Sequence, residues 1–378
     1  MNRRYWHYWM SLLLTAALVP ILRRLHLPFN FDWKTLGIAY WIVLDAQSIF
    51  VAVLLGLIGL PADAAIKPFL RRYQSQPLRW LLLFLYAGVL FWAFGWVKAL
   101  ILTVDTFALV EFLERRTGPQ RRKTLAAILL PALYLFCGFL LVFAYNCVIV
   151  SARFNLAYDA AFNAADKWLL HGWTVSDLCH WAIRRFPLSF FQFLEFIYFG
   201  MFPQIGAAIV LVAIHDGRSR ALQYIGTILT AYYLALGIFY LWPSLSPYYF
   251  CTDHFWHFPE SLQAYRIQLF LNRHAEMLAN HVPIRRISTD YFIAFPCMHI
   301  AQPLIVMWFL RRWKRMLIAL AAYDLLLIVA ILLLEWHYFV DILGGVLVAA
   351  VAIAITAVPS WRRHQAHSDP ILQEIAVS

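Results

Sequence analysis

Two short strings in this 378-residue chain place ionisable side chains inside apolar surroundings. The first, Ala294-Phe295-Pro296-Cys297-Met298-His299, ends in a histidine; the second runs Trp336-His337-Tyr338-Phe339-Val340-Asp341-Ile342-Leu343-Gly344-Gly345. An ionisable residue at a membrane helix centre costs about 2.5 to 3.5 kcal/mol on insertion scales, so such residues point to function. His337 and Asp341 are four apart, which on a helix gives one face and Cβ atoms about 5 to 6 Å apart. A carboxylate so placed fixes the imidazole tautomer and stabilises the imidazolium formed when the other ring nitrogen attacks. His299 can then protonate a leaving alkoxide as general acid. The same spacing also fits an interfacial histidine at a helix junction with Asp341 as its satisfied partner.

Negative charge developing on a group under attack calls for cationic or N–H donors. Candidates are Arg285 and Arg286 ahead of the first histidine, with Arg266, Arg273 and Tyr248 behind them, and backbone N–H groups around Cys297 to His299. The arginines fit equally a solvated basic patch facing lipid phosphates. Glu195, in Phe193-Leu194-Glu195-Phe196, is a carboxylate within an apolar run, suited either to proton relay or to a structural hydrogen bond. Asp253, His254 and His257 could ligate a divalent metal, yet chance loop clusters of this kind are common, and we expect neither metal nor cofactor. Cys137, Cys147, Cys179, Cys251 and Cys297 show no C-x-x-C spacing, which points to neither a zinc cluster nor a disulfide framework.

The elements that must position these groups are membrane helices. Hydrophobic residues make up 63% of the chain against 13% charged, which excludes an ordinary soluble enzyme. Apolar runs predict an all-α polytopic bundle with about nine spans, near 8–24, 35–60, 78–104, 124–150, 189–214, 221–243, 291–310, 316–336 and 338–358. The first reads as a retained signal-anchor, with Arg3 and Arg4 before it and Arg23 and Arg24 after it. His299 then falls about two turns into the seventh span, and His337 at the junction of the eighth and ninth. The long connections Ser151 to Leu188 and Ser244 to Asp290 keep many aromatics and suit interfacial helices.

The net charge of +11 sits in short clusters such as Arg311, Arg312, Lys314 and Arg315, which the positive-inside rule explains without nucleic acid. Arg115, Arg116, Arg121, Arg122 and Lys123, then Arg218 and Arg220, the Arg311 cluster, and Arg362 and Arg363 all fall on one side. That side is cytoplasmic, and the long connections face outward. Lys67, Arg71, Arg72 and Arg79 do not fit this scheme. The expected organisation is an N-terminal membrane region over 1–123, a six-helix core over 124–359 and a tail over 360–378.

P-C-M-H followed about 38 residues later by H-Y-F-V-D-x-x-G-G resembles the second and third signature motifs of the phosphatidic acid phosphatase type 2 superfamily. The resemblance is closest to its inositol phosphorylceramide synthase branch, whose members carry F-P-S-x-H and then H-Y-x-x-D. Trp242-Pro243-Ser244-Leu245-Ser246-Pro247-Tyr248 is similar to the proline-bearing stretch preceding these motifs. The resemblance covers roughly Ala152 to Pro359. It implies a six-helix core in which His337 forms a phosphohistidine, Asp341 orients it and His299 protonates the leaving oxygen. Cys297 stands where the family pattern has Ser, Ala330-Ile331 stands where it has Ser-Arg, and the early K-x6-R-P motif is missing. The implied activity is transfer of a phosphorylated headgroup from a phospholipid to a lipid hydroxyl, such as that of ceramide, at the outer face. A lipid phosphatase, and a transporter or scaffold that has kept the fold, are the alternatives.

Overall fold

The computed structural model describes residues 6–24, 46–59, short stretches between 81 and 105, 118–153, 158–251, 261–280, 282 and 293–356. Arg285, Arg286, Asp253, His254 and His257 lie outside them. The described residues form helices and no strand: α1 (Trp6–Arg24), α2 (Ala46–Gly59), α3 (Gly118–Arg153), α4 (Asp159–Leu169), α5 (Val175–Ile183), α6 (Leu188–Asp216), α7 (Arg218–Leu241), α8 (Pro247–Phe250), α9 (Gln263–Ala279), α10 (Met298–Leu310), α11 (Lys314–Leu333) and α12 (Phe339–Thr356).

Among them α3, α6, α7, α11 and α12 are long and apolar enough to cross a membrane, and α1, α2 and α10 contain shorter apolar stretches. The protein is an all-α, polytopic integral membrane protein. The expected spans near 124–150, 189–214, 221–243, 316–336 and 338–358 correspond to the five long helices within a few residues. The seventh differs. Its helix begins only at Met298, so His299 lies in the first turn of α10 instead of two turns in. Pro296 brings no N–H and biases the residue before it away from helix. Ile293 to Cys297 is instead held as a strap, with Ala294 N–H donating to the Ser244 carbonyl (3.0 Å) and Cys297 N–H to the Asp341 carbonyl (3.0 Å).

α6 sits centrally, against α2, α3, α7, α10 and α11, while α12 packs on α7 and α10. Gly217, at φ +77, joins α6 to α7 in a one-residue turn that only a residue tolerant of positive φ makes without strain. Apolar side chains do not favour helix association over lipid, so polar pairs lock the bundle. Gln204 of α6 donates to Asp324 of α11 (3.1 Å), and Thr227 of α7 bonds Thr356 of α12 (2.7 Å). α1 lies against α3 and α7, with the Tyr145 hydroxyl donating to the Leu14 carbonyl (2.6 Å).

The two long connections, expected to suit interfacial helices, do contain helices. α4 and α5 lie in the first and α9 in the second. Thr174 caps α5 with a reciprocal capping box to Asp177. At the opposite end of the bundle Arg312 pairs with Asp216 and Arg220 stacks over Phe309 (4.3 Å). That end carries the C-termini of α6 and α10 and the N-termini of α7 and α11.

Candidate active site

The end of the bundle opposite Asp216 and Arg312 brings together the starts of α10 and α12 and the turn before α12. His337 occupies that turn, ahead of the helix instead of on it, and Asp341 lies in the first turn of α12. The loop geometry still joins them: His337 Nδ1 lies 3.2 Å from Asp341 Oδ2 and 2.9 Å from the Ala294 carbonyl oxygen. A carbonyl can only accept, so Nδ1 carries the proton and shares it between these two oxygens. In the neutral ring Nε2 then bears the lone pair, and His299 Nδ1, 2.8 Å away, donates to it. Burial holds the His337 imidazole down at about 3, with the Ala294 hydrogen bond opposing the fall, so the ring is neutral and nucleophilic at neutral pH.

Asp341 Oδ2 also accepts the Tyr338 N–H (2.9 Å), while Oδ1 is buried without a donor among the described residues. An oxygen with no hydrogen bond retains its full attraction for positive charge on the neighbouring ring, so it would stabilise a cationic imidazole at His337. His299 is bracketed by aromatic rings, Tyr198 at 4.8 Å and Phe202 at 6.3 Å. Tyr198 stacks in turn on Trp336 (4.8 Å), whose edge meets Tyr248 (5.5 Å). The candidate Tyr248 is thus buried in the wall behind the two histidines.

Glu195 has a different surrounding. Its carboxylate accepts the backbone N–H of Ala264 and Gln263 at the N-terminus of α9 and lies near Arg266. This is helix capping supplied from α6, and it pins α9 to the bundle.

Two carboxylates that the sequence did not single out hold the site together. Asp159 and Asp166 lie two turns apart on one face of α4, with Phe162 between them. Asp159 accepts the Leu245 N–H (3.0 Å), the Ser246 N–H (3.0 Å), the Ser244 hydroxyl (3.1 Å) and the Tyr338 hydroxyl (3.0 Å). Asp166 accepts Phe339 N–H on one oxygen (2.8 Å) and Val340 N–H on the other (2.9 Å), capping α12 from outside. Phe162 stacks on Phe295 of the strap (4.7 Å). One helix thereby clasps all three motif-bearing segments. Burial pushes the Asp159 carboxyl up against those hydrogen bonds, and lifts Asp166 to about 6, with the Asp341 charge adding to the rise. The signal for this pair is Asp-x6-Asp in a segment whose remaining residues are mostly apolar.

The glycines of the second motif complete the arrangement. A Cβ on Gly345 would overlap the Cys297 carbonyl, and one on Gly344 would press on Phe295 and Pro296. Glycine there lets α12 lie directly against the strap, which sets the His299 to His337 distance.

Residues 161–355, just over half of the chain, match the family model described as PAP2 superfamily. No curated protein and no solved structure matches the chain. Members of that superfamily are generally phosphatases or phosphotransferases. The matched segment contains His299, His337, Asp341 and Asp166, and with that match the chain belongs to the PAP2 superfamily.

Proposed function

We propose that this protein is a lipid phosphotransferase that passes a phosphorylated headgroup from a phospholipid to a lipid hydroxyl such as that of ceramide, through a phosphohistidine on His337. The observation that carries the reading is the proton arrangement around His337, with Nδ1–H committed to Ala294 and Asp341 and the Nε2 lone pair turned toward His299. Nε2 attacks phosphorus, and the P–O bond to the leaving alcohol breaks. His299, having taken up a second proton with the anionic substrate, hands one to the leaving oxygen. The acceptor hydroxyl then attacks phosphorus, its proton returns to His299, and the P–N bond breaks. The carbon skeletons are untouched, and protein side chains supply every proton transfer without metal or cofactor.

Transfer in preference to hydrolysis requires exclusion of water from the phosphohistidine. His337 is 2% exposed, beneath α4 and beside the Trp336 and Tyr198 stack. The resemblance to the inositol phosphorylceramide synthase branch favours the same acceptor class. We read the site as opening outward, because Arg218, Arg220, Arg311, Arg312, Lys314 and Arg315 lie together at the opposite end, which the positive-inside rule makes cytoplasmic. A cleft near α5, lined by His171, Trp173, Asp177, His180, Trp181, Arg184 and Arg185, offers aromatic groups and charges of both signs to lipid headgroups.

Purified protein supplied with a labelled phospholipid donor, with and without ceramide, tests the proposal. Label should appear in a phosphorylated ceramide product only when ceramide is present. Free phosphorylated headgroup or phosphate released at equal rates in both cases overturns transfer in favour of hydrolysis.

A further inference from the structure

Cys297, His299 and His337 each offer a ligand atom, and the three atoms lie within 4.8 Å of one another. C-x-x-C spacing misses this set because its members come from two segments 38 residues apart, joined only by the packing of α12 on the strap. We propose that Cys297, His299 and His337 form a binding site for a soft divalent cation of the zinc type, whose occupation blocks the nucleophilic nitrogen and switches catalysis off.

Ligand type, geometry and surroundings each support this. A thiolate with two imidazoles is a zinc donor set, and three protein ligands leave a fourth tetrahedral position open. Two nitrogens each about 2.0 to 2.1 Å from a tetrahedral zinc ion are separated by about 3.3 Å. His299 Nδ1 and His337 Nε2 stand 2.8 Å apart and point at each other, so each ring retreats only a fraction of an ångström to admit the ion. The outer groups match what metal-bound histidines use, since His337 Nδ1–H already donates to Ala294 and Asp341.

Binding balances simply. The Cys297 thiol releases one proton to solvent, His299 moves its proton from Nδ1 to Nε2, and the ion takes one sulfur and two nitrogen lone pairs. The thiolate and the Asp341 carboxylate together offset the two positive charges.

The switching half of the inference rests on His337 as nucleophile, whereas the binding half does not, and the test separates them. Cobalt(II) is titrated into detergent-purified wild type, Cys297→Ser, and Cys179→Ser as a second buried thiol control. Wild type and Cys179→Ser should develop a thiolate-to-cobalt charge-transfer band that zinc bleaches; Cys297→Ser should not. Retention of folding by each variant is read from thermal unfolding. In parallel, each variant's turnover is measured against its own zinc-free rate, and Cys297→Ser should need about tenfold or more zinc for half-inhibition. No band in wild type, or an undiminished band in Cys297→Ser, overturns the site. A band without inhibition overturns the switch. Failure to detect phosphorylated His337 would overturn the proposed function while leaving the cobalt spectrum intact.

Discussion

Replacing Asp166 by Asn removes a single acceptor from the site without touching a reacting atom. The two Asp166 oxygens receive the N–H groups of Phe339 and Val340 at 2.8 and 2.9 Å. An amide has one acceptor oxygen, so one of these N–H groups loses its partner. A hydrogen bond to a charged group contributes about 1.5 to 3 kcal/mol. The global stability change is smaller, because the substitution also relieves the burial of a charge that raises this carboxyl to about 6. The local loss falls on the first turn of α12, which carries Asp341 and positions His337 just before it. If all of it appears as misalignment in the transition state, kcat falls about ten- to a hundredfold with KM little changed. The assay is steady-state turnover of a short-chain phospholipid, with thermal unfolding measured on the same preparation. Asp166→Ala should lose more activity than Asp166→Asn, since both N–H groups are then abandoned. Folded Asp166→Ala with kcat within about twofold of wild type would refute the clasp as a positioning device.

His337→Ala should abolish turnover and the acid-labile phosphoenzyme in a rapid-quench experiment while the protein still folds, and Asp341→Asn should lose less. Residual phosphoenzyme in His337→Ala would place the nucleophile elsewhere. Gly345→Ala pushes the Cys297 carbonyl away and should depress turnover well beyond its effect on thermal stability; equal losses in both would mean the glycine serves packing alone. Excess chelator should leave turnover intact, measured with and without added EDTA, and a loss restored by metal would contradict the proposed chemistry. The pH dependence carries a sign. A carboxyl raised from 3.8 to about 6 contributes stability that is fully present below 3.8 and is lost as pH rises through about 6. The melting temperature of Asp166→Asn should therefore gain on wild type as pH rises through that window. Activity should move the opposite way, falling in wild type as Asp166 protonates below about 6.

His299, His337 and Asp341 are legible in the sequence because an ionisable residue in an apolar run is conspicuous, and the motifs put all three in one neighbourhood. The long helices were legible for the same reason of contrast. Other features depend on contacts between distant backbone groups, which leave little trace in a string. Glu195 stood out as an acid, but its partner, the N-terminus of α9, is 69 residues away at Ala264. Asp166 acts on N–H groups 173 and 174 residues on. The late start of α10 came from a proline whose effect on an apolar run depends on what its neighbours bond to instead.

The contact between Gly345 and the strap also sorts positions by their freedom to change. It is the Cys297 carbonyl, not its side chain, that meets the glycine. Serine and cysteine present the same carbonyl, so position 297 can exchange an oxygen for a sulfur while the histidine spacing is preserved. Position 345 has no such latitude, since any side chain there moves the strap. Variation among descendants of such a sequence would thus fall unevenly, permissive at the residue whose donor atom decides which ions the site attracts and closed at the residue that holds the two histidines together.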